Sequence, residues 1–178
     1  MGNTRSDRGA GRAARPRIIA IGNLLLDTTI AGGPPVDLTE RYPAIHVSLK
    51  EIEALERELE IVKPGGDHMI RLPGGAAGNV ARIAAAIGAD TTVVGILGSD
   101  PAAEEYVAGI FGGPASSVTV RTVRAPGSTG RSVTFAAPSA IRVYPGQTPA
   151  PDLIEELVNA AATAVGDPAN PPVVVYLD

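Results

Sequence analysis

The sequence lacks cysteine and tryptophan, and aromatic residues make up only 3% of its 178 residues. The absence of cysteine excludes disulfide bonds, thiolate metal sites and a cysteine nucleophile. A core must therefore be built from small aliphatic side chains, and a hydrophobic content of 44% is enough for one domain. This composition, with 21 glycines and 16 prolines, favours an α/β fold over a helical bundle.

Positive charge is scarce outside the N-terminus. Residues 1–16 carry four arginines and one aspartate, whereas the whole chain has a net charge of −4. An acidic body argues against nucleic-acid binding, which requires clustered Lys and Arg. Because residues 1–16 show no apolar periodicity, we expect a disordered basic tail there, followed by one folded unit over 17–178.

Long apolar runs are also missing. Asn23 and Asp27 interrupt the apolar run 18–30, which disfavours a secretory signal, and no stretch approaches the ~20 apolar residues of a membrane span. We therefore expect a cytoplasmic protein with no membrane partner. The two histidines, His46 and His68, have no cysteine to join them, so we predict no metal site and assign neither a role.

Apolar segments alternate with amphipathic ones, which predicts a mainly parallel sheet flanked by helices. The last segment is apolar and would need covering elements, so we expect the chain to be the N-terminal part of a longer domain. The predicted strands cover residues 17–22, 68–72, 91–97, 118–123, 131–136 and 172–178. The predicted helices cover residues 48–62, 79–87, 101–111 and 151–165.

Local signals fix several helix ends. Ser48 and Glu51 form a capping box before a helix whose apolar residues, including Ile52 and Leu55, recur every three or four positions. The charged residues between them, Glu56 among them, are expected to face water. The aspartate and proline at 100 and 101 predict another helix start.

A glycine-rich segment, Pro73-Gly-Gly-Ala-Ala-Gly-Asn79, precedes a predicted helix that ends at Gly88. Its glycines allow a ligand close to the backbone, and helix-start N–H groups and Asn79 can bind hydroxyls or anions. A plain tight turn is the alternative. A dinucleotide site is disfavoured because its fingerprint would follow the first strand, and a Walker A lysine is missing.

Asp27 ends the segment Gly22-Asn-Leu-Leu-Leu-Asp27 after the first strand, where open α/β sheets bind ligands. A carboxylate can accept hydrogen bonds from two neighbouring hydroxyls of a polyol, and such charge-assisted bonds are strong. The alternative is a carboxylate that caps a turn or helix.

These motifs, followed by T-V-V-G-I-L-G-S-D and S-T-G-R-S-V-T-F, resemble the N-terminal half of the PfkB/ribokinase family of carbohydrate kinases. The resemblance spans residues 17–178 and is nearest to the adenosine-kinase branch. It implies a ribokinase-like fold with a small β lid over parts of residues 28–48, 66–72 and 118–136. It also implies that the substrate-binding residues are Asn23, Asp27, Gly74, Gly75, Asn79, Thr129 and Gly130, although Ser128 replaces the family's usual proline.

By this resemblance, the parent protein phosphorylates a sugar or nucleoside hydroxyl with ATP and Mg²⁺, and a homodimer formed through the lid strands is expected. The family's D-T-x-G-A-G-D signature is not found in the sequence, so we expect the catalytic aspartate beyond Asp178 and an inactive isolated chain. A non-catalytic polyol- or nucleoside-binding protein is the main alternative. A dinucleotide-binding oxidoreductase is a weaker one.

Overall fold

The computed structural model describes residues 15–32, 40–62, 69–112, 118–136, 139–146, 148–166 and 174–177. Most of the predicted tail, residues 1–14, lies outside these ranges, as does His68. Arg15 and Pro16, which we placed in the tail, lie beside Asp90. The Asp90 N–H donates to the Pro16 carbonyl oxygen at 2.9 Å, and the Arg15 guanidinium lies 3.8 Å from the Asp90 carboxylate.

The described residues form eight strands and four helices of four or more residues. The strands are β1 (Arg17–Ile21), β2 (Leu25–Ile30), β3 (Met69–Gly74), β4 (Asp90–Leu97), β5 (Val118–Arg124), β6 (Gly130–Ala136), β7 (Ser139–Tyr144) and β8 (Val174–Leu177). The helices are α1 (Leu49–Val62), α2 (Gly75–Ala86), α3 (Pro101–Gly112) and α4 (Pro151–Val165).

The main sheet has the order β5-β4-β1-β8, and every pairing in it is parallel, as predicted. Successive residues of its central strands point to opposite faces. Ala20 and Val93 pack against α2 and α3 on one face, whereas Ile19 and Val94 pack against α4 on the other. Both faces of β1 and β4 are therefore buried, which explains their continuous apolar sequences.

The second sheet has the order β3-β2-β6-β7 and combines one parallel pairing, β2 with β6, with two antiparallel ones. Helix α1 covers one face of it, where Ile52 and Leu55 pack with Val133 and Phe135. The three ranges in which the lid was expected each contribute residues to this sheet, through β2, β3 and β6, whereas residues 118–124 form β5 in the main sheet. Strands β2 and β7 were not predicted.

Helix α1 begins with the predicted capping box. The Ser48 N–H donates to Glu51 Oε2 at 2.7 Å, and the Glu51 N–H donates to Ser48 Oγ at 3.3 Å. The expectation that Glu56 faces water was wrong, since it is only 8% exposed. It pairs there with Arg71 and Arg131. The helical period of α1 could not show that strands β3 and β6 bring these two arginines to Glu56.

The glycine-rich segment is not a loop. Strand β3 ends at Gly74 and α2 begins at Gly75, so the predicted helix start at Asn79 was wrong by one turn. The other end of α2 is as expected. Gly88 has φ +93°, its N–H donates to the Ala85 carbonyl, and the Ala89 N–H donates to the Ala84 carbonyl. These two bonds form a Schellman motif.

Candidate functional site

Asp27 lies in the middle of β2, between β3 and β6. It is in register with Leu72 on one side and Ser132 on the other. Its Oδ1 accepts a hydrogen bond from Ser132 Oγ at 2.7 Å, and its carboxylate also accepts one from the Gly75 N–H. The carboxylate is thus held at the start of α2, where the helix dipole favours a negative charge.

Gly74 is required beside this carboxylate. A Cβ at Gly74 would lie 1.7 Å from Asp27 Oδ2, a distance that no side chain could occupy. Gly75 is constrained twice, because its φ is +73° and a Cβ there would lie 2.3 Å from the Asn23 carbonyl oxygen. The paired glycines therefore let the backbones of β2, β3 and α2 meet around Asp27.

The charge of Asp27 is partly desolvated. Burial raises the pKa of Asp27 above its ordinary value, while the bonds from Ser132 and Gly75 and the nearby charge of Arg82 act in the opposite direction. A carboxylate has about four acceptor positions, of which these two bonds use two. The remaining positions can accept ligand hydroxyls.

Asn79 lies one turn after Gly75 on α2 and is exposed. Arg82 Nη1 donates to the Pro73 carbonyl oxygen at 2.9 Å and lies 3.5 Å from Asn79 Oδ1. An exposed amide at this place can both donate to and accept from a ligand hydroxyl. Arg82, which we did not predict, brings a positive charge to the same corner.

Tyr106 supports the site from α3. It is fully buried, and its hydroxyl donates to the Gly74 carbonyl oxygen at 3.4 Å. Burial, and secondarily the charge of Asp27, raise the pKa of Tyr106, so its hydroxyl stays protonated as a donor. A Cβ at Gly78 would lie 2.4 Å from this hydroxyl oxygen, which explains the third glycine of the segment.

Thr129 is turned into the protein. It is 1% exposed, its Oγ1 donates to Asp100 Oδ1 at 2.6 Å, and it accepts the Gly98 N–H at 3.0 Å. Asp100 also caps α3 as predicted, by accepting the Ala103 N–H at 3.2 Å. Burial favours a higher pKa for Asp100, but the bonds from Thr129 and Arg131 outweigh it and hold the pKa below its usual value.

A network of charged side chains joins α1, α3 and the second sheet. Arg131 lies 3.0 Å from both Glu56 and Asp100. Arg71 lies 3.1 Å from Glu56 and 3.4 Å from Glu105. The pairs of Arg131 hold β6 against α1 and the start of α3, which supports the position of Ser132 on β6. The network was not predicted because its members are far apart in the chain, although Asp100 and Arg131 each stand in a quoted motif.

A cavity of about 270 Å³ lies at the carboxyl ends of β1 and β4. Two predicted residues, Asn23 and Gly130, line it, whereas Asp27, Gly74, Gly75, Asn79 and Thr129 are not part of its lining. Its other walls are mainly apolar and include Ile96, Pro145 and Leu157. Asn23 and Gly130 thus line this cavity, whereas Asp27, Gly74, Gly75 and Asn79 form a separate group, the carboxylate corner, and Thr129 lies in neither. The Asn23 carbonyl lies beside Gly75 and links the two.

Within the described segments, no group of three or more His, Cys, Asp or Glu residues could hold a metal ion, so no magnesium ligand is assigned. No helix of these segments is long and apolar enough to cross a membrane.

The sequence resemblance is confirmed by a family comparison. Residues 47–112, which contain α1, the paired glycines and Asn79, match the pfkB family carbohydrate kinase model. No curated protein sequence matches the chain.

Solved kinase structures share the fold. The Schistosoma mansoni adenosine kinase in complex with adenosine is 18% identical with a TM-score of 0.58, over 80% of this chain and 44% of that chain. The Anopheles gambiae adenosine kinase in complex with P1,P4-di(adenosine-5) tetraphosphate is 20% identical with a TM-score of 0.59. The match covers 84% of this chain and 44% of that chain. Escherichia coli phosphofructokinase-2 is 20% identical with a TM-score of 0.53, and the match covers 84% of this chain and 41% of that chain. The chain matches less than half the length of each.

Proposed function

Because the chain is related to the PfkB/ribokinase-family kinases in both a sequence segment and its fold, we propose that it forms the substrate-binding part of a sugar or nucleoside kinase. The observation that carries this proposal is the half-buried Asp27 carboxylate, held by Ser132 and Gly75 against two glycines that leave no room for side chains. Such an acceptor suits neighbouring hydroxyls better than an anion, since a second negative charge would be repelled.

The proposed roles follow from the geometry. Asp27 accepts hydrogen bonds from substrate hydroxyls, and Asn79 adds a donor and an acceptor one helical turn away. Gly74 and Gly75 leave room for the Asp27 carboxylate and the Asn23 carbonyl, and so help to hold the carboxylate where substrate hydroxyls would bind. Asn23 and Gly130 line the adjacent cavity, where the rest of the substrate would lie. Thr129 contributes indirectly, by holding Asp100.

In the parent protein the reaction would transfer the γ-phosphoryl group of ATP, with Mg²⁺, to one substrate hydroxyl. We propose that the catalytic aspartate and the nucleotide site lie in sequence beyond Asp178, and that the 178-residue chain alone binds substrate without turnover. Positioning a hydroxyl is one requirement of the reaction, but a base and charge stabilisation are also needed. A homodimer formed through the second sheet remains a proposal, which sedimentation analysis of the chain would test.

Calorimetric titration of the chain with a panel of pentoses, hexoses and nucleosides tests the proposal. We expect one class to bind, and Asp27→Ala to weaken that binding about 10- to 100-fold, because charge-assisted hydrogen bonds are lost. Glu58→Ala, an exposed carboxylate on α1, is the matched control and should leave binding unchanged. Absence of binding across the panel would contradict the proposal.

Phosphorylation assays with Mg·ATP distinguish the two hypotheses, that the chain is part of a kinase or that it is a non-catalytic binding protein. We expect no product from the 178-residue chain and activity when the sequence that follows it in the gene is appended. Turnover by the 178-residue chain alone would show that the proposed location of the catalytic aspartate and nucleotide site beyond Asp178 is wrong. A bound ligand that is never phosphorylated, even by the extended protein, would favour the non-catalytic alternative.

A further inference from the structure

Ser132 was not among the predicted binding residues, and no other residue donates a side-chain hydroxyl to Asp27 among the hydrogen bonds of the described segments. It is 3% exposed and lies in register with Asp27 across the parallel pairing of β2 and β6. Side chains in register on neighbouring strands project from the same face of a sheet. The distance of 2.7 Å between Ser132 Oγ and Asp27 Oδ1 is that of a strong O–H···O⁻ hydrogen bond.

We infer that Ser132 is a positioning residue, whose hydroxyl orients the Asp27 carboxylate so that its remaining lone pairs face the substrate hydroxyls. This inference rests on the proposed function and deepens it. Without Ser132, the Gly75 N–H would be the remaining hydrogen-bond donor to the carboxylate in the described segments, and rotation about the last side-chain bond of Asp27 would be less restricted. A rotated carboxylate would no longer present its free lone pairs in one direction.

The surroundings of Ser132 are built to hold it still. Its neighbour Arg131 is anchored by Glu56 on α1 and by Asp100 at the start of α3, at 3.0 Å each. The strand that carries Ser132 therefore cannot shift along β2 without breaking two largely buried ion pairs. Because the position of Ser132 is fixed, its hydrogen bond can fix the orientation of the Asp27 carboxylate.

Carbon-13 NMR titration of the Asp27 carboxyl in the full 178-residue chain tests the inference without any substrate. The other groups that act on this carboxyl are the Gly75 N–H and Arg82 from α2, and the Tyr106 hydroxyl from α3. Removing the Ser132 hydroxyl removes a bond to the ionised form, so Ser132→Ala should raise the pKa of Asp27. Ser99→Ala, which removes a hydroxyl bonded to the Ala125 carbonyl instead, should leave it unchanged.

Affinity gives the second measurement. Ser132→Ala should weaken binding of the sugar or nucleoside found for the wild-type chain by about tenfold, and Ser132→Cys, which keeps a weak donor, should weaken it less. An unchanged Asp27 pKa and unchanged affinity in a folded Ser132→Ala protein would overturn the inference but not the proposed function. A wild-type chain that binds no ligand would overturn the proposed function, while the titration would still decide the Ser132–Asp27 bond.

A measurement on the unmodified chain covers the case in which both variants fail to fold. The Ser132 Cβ chemical shift should change with pH at the same midpoint as the Asp27 carboxyl, because the hydrogen bond changes when Asp27 takes up a proton. A Ser132 shift that ignores the Asp27 titration would overturn the inference directly.

Discussion

The α-carbon of Gly74 lies directly against the carboxylate of Asp27, so that a Cβ at Gly74 would come within 1.7 Å of Oδ2. The two residues are on the antiparallel strands β3 and β2. The glycine therefore determines where the carboxylate can lie as much as its hydrogen bonds do.

Gly74→Ala should push the Asp27 carboxylate out of position. We expect a loss of substrate affinity of at least about tenfold, together with about 1–3 kcal/mol of destabilisation from overpacking. Calorimetry and chemical denaturation would measure the two effects. Gly88→Ala is the control, because a Cβ there meets open space and only the φ of +93° is strained. It should cost stability, about 1–2 kcal/mol, and leave affinity unchanged.

Thr129→Val should act on stability more than on binding. The substitution keeps the shape but leaves the Gly98 N–H without its acceptor and removes a donor from Asp100. We expect a loss of about 1–3 kcal/mol in the free energy of unfolding. Thr129→Ser retains the hydroxyl and should recover most of it. A loss of affinity in Thr129→Val as large as that in Asp27→Ala would instead place Thr129 in direct contact with the substrate.

Glu56→Gln should be more destabilising than a substitution on the exposed side of α1, because Glu56 is buried. It leaves Arg131, whose side chain is 13% exposed, without one of its two carboxylates, and it also removes a partner of Arg71. Because Arg131 keeps Asp100 and the glutamine can still accept a hydrogen bond, we expect a loss of about 1–3 kcal/mol in the free energy of unfolding. Glu58→Gln on the same helix breaks an exposed pair with Arg41 and should cost at most about 1 kcal/mol. Equal unfolding free energies for the two variants would refute the burial argument.

Substrate affinity should fall as the pH is lowered through the pKa of Asp27. Only the ionised carboxylate accepts hydroxyl hydrogen bonds at all its oxygens, and burial raises the folded-state pKa above 3.8. The same shift means that the stability contributed by this group is present below its unfolded pKa and is lost as the pH rises through the folded pKa. Asp27 thus opposes folding at neutral pH.

Calorimetric titrations from about pH 7 down to about pH 4 would measure this dependence. Asp27→Asn is the control, since it should bind more weakly but without the same pH dependence. Circular dichroism at each pH would show that the fold persists. A wild-type affinity that stays constant over the range would argue against an ionised Asp27 in the site.

Elements with a local signal could be predicted from the sequence. The capping box at Ser48 and the left-handed Gly88 depend on neighbours within a few residues, and both were predicted. Strand β2 could not be predicted in this way. Asp27 and two threonines interrupt its apolar pattern, and its regularity comes from pairing with β3 and β6, which are remote in sequence.

The same division holds for the candidate site. Asp27 and the paired glycines stand in a recognisable pattern, and the structure brings them together. Glu56 belongs to an ordinary amphipathic helix and Ser132 to the segment S-T-G-R-S-V-T-F, but the local sequence of neither residue shows which side chain it contacts. Their partners are defined only by the packing of β6 against β2 and of α1 against the second sheet.

The hydrogen bond between Asp27 and Ser132 closes a separation of 105 residues along the chain. Parallel pairing over such a distance requires a large loss of loop entropy before any contact offsets it, and contacts of this kind slow folding. During folding, α1 and α2 can form from local interactions while β2 still lacks its neighbour β6. We therefore expect the carboxylate corner to form late in folding, so that a refolding chain regains helical structure before it regains the ability to hold a ligand.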